Sequence, residues 1–257
     1  MSGSLMRDKI YFITDSHLGI DEASLQRERQ LCALLDEIKD EARMVVFLGD
    51  IFDFWFTYRH VVPRGMIRLL GRMAQMADDG VELHFFIGNH DMWLFDYLTS
   101  QMKITMHDAP AMIEYDGKRF LMGHGDGLGH TDPKYDRLKR IFRSRLNQRL
   151  LALVPTRLTF GIANAWSHRS RRSHGAECYS YQGDAKEGIV VYCRQQLASQ
   201  QIDYCVFGHR HTPLVRTIAV EGGSSSLYVN VGDWLVHRNY AVYSPTEGLI
   251  LRDYEAE

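Results

Sequence analysis

Short apolar runs rich in β-branched and aromatic residues recur along the chain, and they predict buried strands. The six runs are Ile10–Thr14, Met44–Leu48, Leu83–Ile87, Phe120–Met122, Cys205–Phe207 and Leu227–Val231. Each run is too short for a typical helix, and its composition is that of a strand covered on both faces. The pattern therefore predicts sheets whose strands lie inside the protein.

Apolar residues at helical spacing separate several of these runs. They repeat from Leu31 to Ile38, from Met66 to Met76 and from Ile189 to Leu197. Asp116-Gly117 and Glu221-Gly222-Gly223 each separate two apolar runs, as tight β-hairpins do. Helices that alternate with strands, together with hairpins, predict an α/β fold with mixed sheets rather than a purely parallel sheet.

Most of the predicted strands run directly into a short polar motif. The motifs are Asp15-Ser16-His17, Gly49-Asp50-Ile51-Phe52-Asp53, Gly88-Asn89-His90-Asp91, Gly123-His124-Gly125-Asp126 and Gly208-His209-Arg210-His211. In open α/β sheets, ligands bind outside the carboxyl ends of the strands. We therefore expect these motifs to converge at one edge of the fold.

The side chains of these motifs are typical of a metal site. Carboxylate, amide oxygen and imidazole together suit Mn, Fe or Zn, whereas Mg and Ca prefer oxygen alone. Asp15 and His17 lie two residues apart on a segment expected to be extended, so they can bind one ion. His209 and His211 share this spacing and can face two different ions. The full set is too large for one tetrahedral site and suits two metals that share a carboxylate, for which Asp50 is the natural bridge.

Each motif taken alone has a plainer explanation. A single Asp-x-His sequence is common by chance, and one buried histidine is usually a hydrogen-bonded core residue. Several such motifs in order, each after a predicted strand, favour a metal site. The remaining histidines lack this context and are expected to be structural or exposed: His60, His84, His107, His130, His168, His174 and His237.

The order DxH, GDxxD, GNHD, GH and GHxH resembles that of the calcineurin-like metallophosphoesterase family, and it spans residues 15–211. The resemblance implies a four-layer sandwich of two mixed β-sheets flanked by helices, with a site for two divalent metal ions at its edge. The ligand sets that it implies are Asp15, His17, Asp50 and His211 for one metal, and Asp50, Asn89, His124 and His209 for the other.

The same resemblance implies catalytic parts for His90 and Asp53. His90 follows the ligand Asn89 and can give a proton to the leaving group as a general acid. In the wider family an aspartate at the position of Asp53 orients that histidine. For Asp91 we favour the plainer role of loop capping, and Asp126 is expected to support its own loop.

The stretches Gly49–Trp55 and His124–Leu128 are similar to one subgroup of this family, the pyrophosphohydrolases of lipid A biosynthesis. This resemblance implies cleavage of UDP-2,3-diacylglucosamine to UMP and 2,3-diacylglucosamine 1-phosphate, usually with manganese. The contacts that it implies with this lipid-linked nucleotide sugar come from Asn89, His90, Asp132, Lys134, Tyr135, Arg137, Arg140 and Lys186. Known members of the subgroup carry arginine where this chain has His90, which leaves a related phosphoester open as the substrate.

A basic segment lies within the predicted single domain of residues 6–257. Lys134–Arg172 contains eleven basic residues and one acidic residue, so its net charge is +10 and the rest of the chain carries −12. Residues 132–175 are predicted to form a helical insertion. It is a solvated charged helix, a nucleic-acid surface, or a lid that holds phosphates and offers apolar surface to acyl chains at a membrane. Aliphatic rather than aromatic residues alternate with the basic ones, which disfavours nucleic acid, and the resemblance favours the lid.

Composition limits the remaining classes of protein. The 257 residues carry a net charge of −2, so the molecule as a whole is no basic nucleic-acid-binding protein. No apolar run reaches the roughly 18 residues of a membrane span, no secretory signal is visible, and four scattered cysteines predict reduced thiols. We expect a cytoplasmic protein, weakly and peripherally bound to the cytoplasmic face of the inner membrane.

Two other functions stay open at this stage. One is a metallophosphoesterase that acts on another nucleotide, a phosphoprotein or a phosphodiester. The other is a non-catalytic scaffold, which the complete set of ligands and the presence of His90 disfavour. The sequence makes no prediction about the oligomeric state.

Overall fold

The computed structural model describes residues 7–19, 21–129, 132–163, 181, 183–220 and 223–255. The strands are β1 (Lys9–Ile13), β2 (Ala42–Phe47), β3 (Glu82–Phe86), β4 (Thr105–His107), β5 (Ala111–Tyr115), β6 (Lys118–Gly123), β7 (Tyr204–Phe207), β8 (Leu214–Ala219), β9 (Ser225–Asn230), β10 (Asn239–Ser244) and β11 (Gly248–Asp253). The helices are α1 (Ser24–Ile38), α2 (Ile67–Asp78), α3 (Tyr97–Met102), α4 (Pro133–Arg143), α5 (Arg145–Ala152), α6 (residues 156–163) and α7 (Gly188–Leu197).

The strands form two mixed sheets, as the alternation of strands, helices and hairpins predicts. The first sheet has the order β11-β10-β1-β2-β3-β4, and the second has the order β5-β6-β7-β9-β8. Strands β1 to β4 run parallel, and β10 and β11 add an antiparallel edge. In the second sheet β6, β7 and β9 run parallel between antiparallel β5 and β8.

The two sheets face each other, and helices cover their outer faces. Alternation along β1 shows this directly, because Ile10 and Phe12 lie in the core between the sheets, whereas Tyr11 and Ile13 lie in the core shared with α1 and α2. On the other side, Val190 of α7 packs against the second sheet. The fold is therefore the four-layer α/β sandwich that the family resemblance implies.

Most predicted elements are present, and the differences lie at the edges. The Asp116-Gly117 hairpin is confirmed, and both of its turn residues have positive φ, as a type I′ turn requires. Glu221 and Gly222 lie outside the described residues, although β8 and β9 on either side pair antiparallel. Strands β10 and β11 were not predicted, although both carry an apolar run. Strand β4 was also missed, because it has only three residues at the edge of its sheet.

The predicted insertion is helical over its described part. It comprises α4, α5 and α6, while residues 164–175, with Arg169, Arg171 and Arg172, lie outside the described residues. Neither α4 nor α5 contains a fully buried residue. No helix in the described part of the chain is long and apolar enough to cross a membrane.

A histidine pair joins β3 to β4 away from the polar motifs. His84 Nδ1 lies 2.9 Å from His107 Nε2, and the His107 ring stacks on Phe86 at a centroid distance of 4.3 Å. Burial lowers the pKa of His84 below its ordinary value. Burial and the neighbouring His84 lower the pKa of His107 to about 4. Both histidines thus have the structural role expected for them.

This pair predicts how stability responds to acid. Because the unfolded chain binds protons near pH 6.5 and folded His107 resists them, stability should fall as the pH drops from about 6.5 towards 4. We expect His107→Gln to keep about 1 kcal/mol more of its unfolding free energy than the wild type between pH 7 and pH 5, a figure reduced for solvent screening. Urea unfolding of chelator-treated protein measures this. The exposed control His60→Gln should behave like the wild type, and equal acid sensitivity in His107→Gln would contradict the assignment.

Candidate metal centre

The loops that follow β1, β2, β3, β6 and β7 meet at one edge of the sandwich. They bring together three groups of side chains whose ligand atoms lie within 4.8 Å of one another. The groups are Asp15, His17 and His211; His17, Asp50 and His90; and Asp50, His124 and His209. The first and third correspond to the two ligand sets that the family resemblance implies, and Asn89 contacts the third.

The backbone of these loops has an uncommon conformation. Asp15, His17, Asp50, His209 and His211 all have positive φ, at 49°, 42°, 51°, 69° and 55°. Residues with a Cβ seldom adopt this left-handed conformation, and where they do they cluster at functional sites. The expectation that Asp15 and His17 lie on an extended segment is therefore wrong. Local turns, rather than the pleat of a strand, direct both side chains to one place.

The first group surrounds buried atoms that have no protein partner. Asp15 Oδ1 lies 3.3 Å from His211 Nε2 and 3.7 Å from His17 Nε2. Asp15 Oδ1 and His17 Nε2 are both buried without a hydrogen bond to the described residues. Such orphaned atoms are rare in protein interiors. A cation bound between them would satisfy both, so the donor set fits a metal ion.

The third group is built around His124. Its Nδ1 donates to the Leu48 carbonyl at 2.8 Å, which leaves Nε2 facing Asp50 Oδ2 at 3.3 Å and Asn89 Oδ1 at 3.2 Å. In the neutral ring, Nε2 carries a lone pair that faces two oxygens. A cation between them stabilises this arrangement. His209 completes the group, and burial together with His124 lowers its pKa to about 4. An imidazole that stays neutral is ready to ligate a metal.

Asp50 connects the two groups. Its Oδ2 lies 3.3 Å from His124 Nε2 and 3.9 Å from His17 Nε2, so one carboxylate oxygen reaches both. Its Oδ1 accepts a hydrogen bond from the backbone N–H of His90 at 2.8 Å. This is the position that the sequence predicts for a bridging ligand.

Outward hydrogen bonds fix the direction of the histidines. His17 Nδ1 donates to Asp53 Oδ1 at 3.3 Å, and His211 Nδ1 lies 3.4 Å from Asp233 Oδ2. Together with His124 Nδ1, these contacts aim each Nε2 into the centre. Metal-binding histidines commonly have such partners on the ring nitrogen that does not ligate.

Asp233 is a part of the site that the sequence reasoning missed. Its Oδ1 accepts from the backbone N–H groups of Val236 and His237 at 2.7 and 3.0 Å, which holds the carboxylate facing His211. The signal was present, because Gly232-Asp233 follows the sixth apolar run just as Gly49-Asp50 follows the second. This motif was left unassigned because the last run was not expected to end in one.

Asp53 and His90 lie beside the first group. His90 Nδ1 donates to the Asp53 carbonyl at 2.9 Å and lies 3.4 Å from Asp53 Oδ1. Burial alone would raise the pKa of Asp53, but its hydrogen bonds with His17 and His90 lower it well below the ordinary value. This carboxylate therefore stays charged and contacts both a candidate ligand and the candidate acid.

Asp91 and Asp126 hold the loops that carry the site. Asp91 accepts from the backbone N–H of Ile51 at 2.9 Å and of Gly88 at 2.8 Å, which ties two motifs together as a capping residue does. Burial and the nearby charge of Asp50 raise the pKa of Asp91 to about 7. Asp126 accepts from Tyr135 Oη at 2.8 Å and so joins the His124 loop to the insertion.

Several predicted substrate contacts lie elsewhere or already have protein partners. Asp132 is the N-cap of α4, where it accepts from the backbone N–H of Lys134 and Tyr135, and the Tyr135 hydroxyl bonds Asp126. At 100° per residue, Arg137 lies on the face of α4 opposite Tyr135. The predicted basic contacts Lys134, Arg137, Arg140 and Lys186 are all exposed. Docking of the Tyr135 face turns the three on α4 towards solvent, and their contact with the substrate stays a prediction.

Comparisons with known proteins agree with this geometry. The profile of the calcineurin-like phosphoesterase family matches residues 8–213, and the chain belongs to that family. The protein is therefore a hydrolase of the phosphoesterase class.

Curated relatives of the chain share one enzyme name. The chain is 39% identical over 264 aligned residues to the UDP-2,3-diacylglucosamine hydrolase of Porphyromonas gingivalis, covering 97% of this chain and 99% of the relative. It is 27% identical to the enzyme of the same name from Edwardsiella ictaluri, covering 88% and 85%. A solved phosphoesterase from E. coli, Yfce, aligns over 96% of this chain and 100% of its own with 13% identity and a TM-score of 0.44. The assignment rests on the sequence comparisons.

The electrostatics of the centre predict that metal uptake releases protons. Burial alone would lower the pKa of both His17 and His124, but the nearby carboxylates of Asp15 and Asp53 raise that of His17 to about 10, and Asp50 raises that of His124 above its ordinary value. The carboxylates therefore favour the protonated form of both imidazoles before a metal binds, and ligation requires their neutral form.

We expect roughly two protons to be released when chelator-treated protein is saturated with Mn²⁺ at pH 7, so apparent affinity should rise with pH. Isothermal titration calorimetry in two buffers of different ionisation enthalpy measures this number. His60→Gln, on an exposed loop, should release as many protons as the wild type. Metal binding without proton release would contradict the proposed ligand roles of His17 and His124.

Proposed function

We propose that this protein hydrolyses the pyrophosphate bond of UDP-2,3-diacylglucosamine to UMP and 2,3-diacylglucosamine 1-phosphate, a step of lipid A biosynthesis. One observation carries the proposal: two donor groups joined by Asp50 lie in a chain that matches a UDP-2,3-diacylglucosamine hydrolase over nearly the full length of both proteins. A complete set of donors disfavours a scaffold that has lost its chemistry.

Two divalent ions are the cofactors of this proposal. Asp15, His17, Asp50 and His211 would hold one, and Asp50, Asn89, His124 and His209 would hold the other. The mixed nitrogen and oxygen donors suit Mn²⁺, Fe or Zn better than Mg²⁺ or Ca²⁺, and Mn²⁺ is the choice that the subgroup resemblance favours. When bound, such ions make water more acidic and offset the negative charge of phosphoryl oxygens.

The protein's own residues contribute proton transfer. Water adds to one phosphorus, the bridging P–O bond breaks, and the departing phosphate oxygen needs a proton or a hydrogen bond. His90 can supply it from Nε2, because its Nδ1 is held by the Asp53 carbonyl. The charged Asp53 carboxylate, 3.4 Å from the same ring, stabilises the protonated imidazole before the transfer. Asn89 and His90 are thus the residues that meet the substrate phosphates.

The insertion supports the choice of a lipid substrate. Large apolar side chains are exposed along it: Ile141, Leu146, Leu150, Leu153, Leu158 and Ile162. Exposed apolar residues in one segment mark a surface for an apolar ligand or a membrane. Lys134, Arg137 and Arg140 form an exposed basic face on α4. Together these features fit acyl chains of the substrate and weak, salt-sensitive binding to the anionic cytoplasmic face of the inner membrane. Exposed Lys186 is a further proposed substrate contact.

The first test is turnover. Purified protein with Mn²⁺ should produce UMP from UDP-2,3-diacylglucosamine, measured by chromatography, and should cleave UDP-glucose at least about tenfold less efficiently because the acyl chains are missing. Asp50→Asn should lose at least about a hundredfold in activity and bind less than the wild-type metal content, with an unchanged circular dichroism spectrum. UDP-glucose cleaved as well as the acylated substrate would favour a general phosphoesterase, and strong activity in Asp50→Asn would contradict the dinuclear site.

A second test isolates His90. If it assists the leaving group without holding a metal, His90→Ala should lower kcat by about a hundredfold or more while metal content stays near that of the wild type. A substrate with a better leaving group, such as a nitrophenyl phosphodiester, should be affected much less, since proton donation then matters less. Loss of a metal from His90→Ala would show that His90 is a ligand instead.

A further inference from the structure

The loop after β6 touches the first helix of the insertion through one carboxylate. Asp126 Oδ2 lies 2.5 Å from Lys139 Nζ and accepts from the Tyr135 hydroxyl at 2.8 Å. Lys139 Nζ also donates to the Asp126 carbonyl at 3.2 Å. Asp126 is 8% exposed and the Lys139 side chain is 25% exposed, so water and salt screen this ion pair less than a fully exposed one. Three polar contacts therefore join Asp126 to α4, whereas a surface ion pair commonly has one.

The packing around this contact is close. Tyr135 and Lys139 lie four residues apart on one face of α4, and the Lys139 amine is 5.9 Å from the centre of the Tyr135 ring. The ring lies directly against the loop, because a Cβ at Gly127 would come within 3.0 Å of Tyr135 Cε1. The loop and the helix therefore fit each other at this point.

A second contact holds the other end of α4. Trp93 Nε1 donates to the Phe142 carbonyl at 3.0 Å, and the two rings lie 5.4 Å apart. Trp93 follows the motif that carries Asn89 and His90, so α4 spans two loops of the site. Because α4 has no fully buried residue, these few contacts decide its position more than a hydrophobic core does.

We propose that Asp126 and Lys139 form a positioning pair that sets the place of the insertion relative to the metal centre and so determines specificity for the acylated substrate. Asp126 is two residues from the candidate ligand His124, and Lys139 is on the same helix as the exposed basic residues Arg137 and Arg140. Movement of α4 should therefore shift the loop that carries His124, and movement of this loop should shift α4. This inference rests on the proposed function, because the consequence for specificity concerns the lipid substrate.

The pair does not enter the chemistry. Lys139 and Asp126 pair with each other, and the pair acts through the orientation of α4. Loss of Lys139 should therefore weaken capture of the acylated substrate, and hydrolysis of a small phosphodiester that does not reach the insertion should continue.

The test uses the full chain loaded with Mn²⁺ and three variants. Lys139→Met removes the pair, and Lys139→Arg keeps the charge. The matched control is Lys118→Met. It removes another Lys–Asp ion pair, at the opposite end of β6, in which Lys118 Nζ lies 3.2 Å from Asp203 Oδ1. Kinetics with UDP-2,3-diacylglucosamine and with bis(p-nitrophenyl) phosphate are measured, together with amide hydrogen exchange across residues 133–152.

For Lys139→Met we expect about tenfold faster exchange in α4 and a kcat/KM for the acylated substrate lowered by about tenfold, mainly through KM. Bis(p-nitrophenyl) phosphate should be hydrolysed within about twofold of the wild-type rate. Lys139→Arg should restore most of the loss, and Lys118→Met should change none of these quantities.

Two outcomes would overturn the proposal. Unchanged exchange in α4 would show that the pair does not hold the insertion, and equal losses on both substrates would show that Lys139 acts on the metal centre itself. If the wild type failed to cleave UDP-2,3-diacylglucosamine, the proposed function and the claim about specificity would both fall. Faster exchange in Lys139→Met would still support the positioning of α4 by itself, so the two failures are distinguishable.

Discussion

Burial of charged and polar ligands in contact with one another is the constraint on which the rest of this structure depends. Asp15, His17, Asp50, Asp53 and His124 are all at most 3% exposed. Isolated charges removed from water in this way would cost far more than the stability of a domain, so each must be paired or ligated. Outward hydrogen bonds satisfy one side of each ring, and the inward side is left for cations.

The backbone meets this constraint by approaching the ligands closely. At Gly208 a Cβ would lie 2.1 Å from Thr14 Oγ1 and 2.6 Å from Asp15 Oδ2, and at Gly88 it would lie 2.2 Å from Asp50 Oδ1. Any larger residue would displace a carboxylate. The positive φ of five site residues is the second part of this arrangement, because tight turns aim several side chains at a volume that extended loops would not enclose.

These local requirements explain why the site was readable from the sequence. Short strands followed by glycine and a polar ligand form a recognisable sequence pattern, and the same pattern at Gly232-Asp233 indicates Asp233, which the sequence reasoning missed. No sequence pattern of this kind predicts the orientation of α4. Its amphipathic pattern shows that one face docks, but which basic residues turn inward depends on Asp126, which lies in the loop before α4 and contacts Tyr135 and Lys139 in the folded protein. Arg137 was therefore expected near the metals, whereas Lys139 is the basic residue that contacts the site loop.

The insertion and the sandwich are held in place by different interactions. The sandwich is held by continuous apolar cores, and its candidate metal ligands are held by hydrogen bonds within the protein. The insertion has exposed leucines and isoleucines, an N-cap at Asp132, and contacts at the two ends of α4. Under the proposed function, acyl chains of the substrate would cover these exposed side chains, since buried methylene groups contribute about 0.8 kcal/mol each. A lid stabilised in this way would couple binding of the lipid part to placement of the pyrophosphate, through the proposed positioning pair of Lys139 and Asp126.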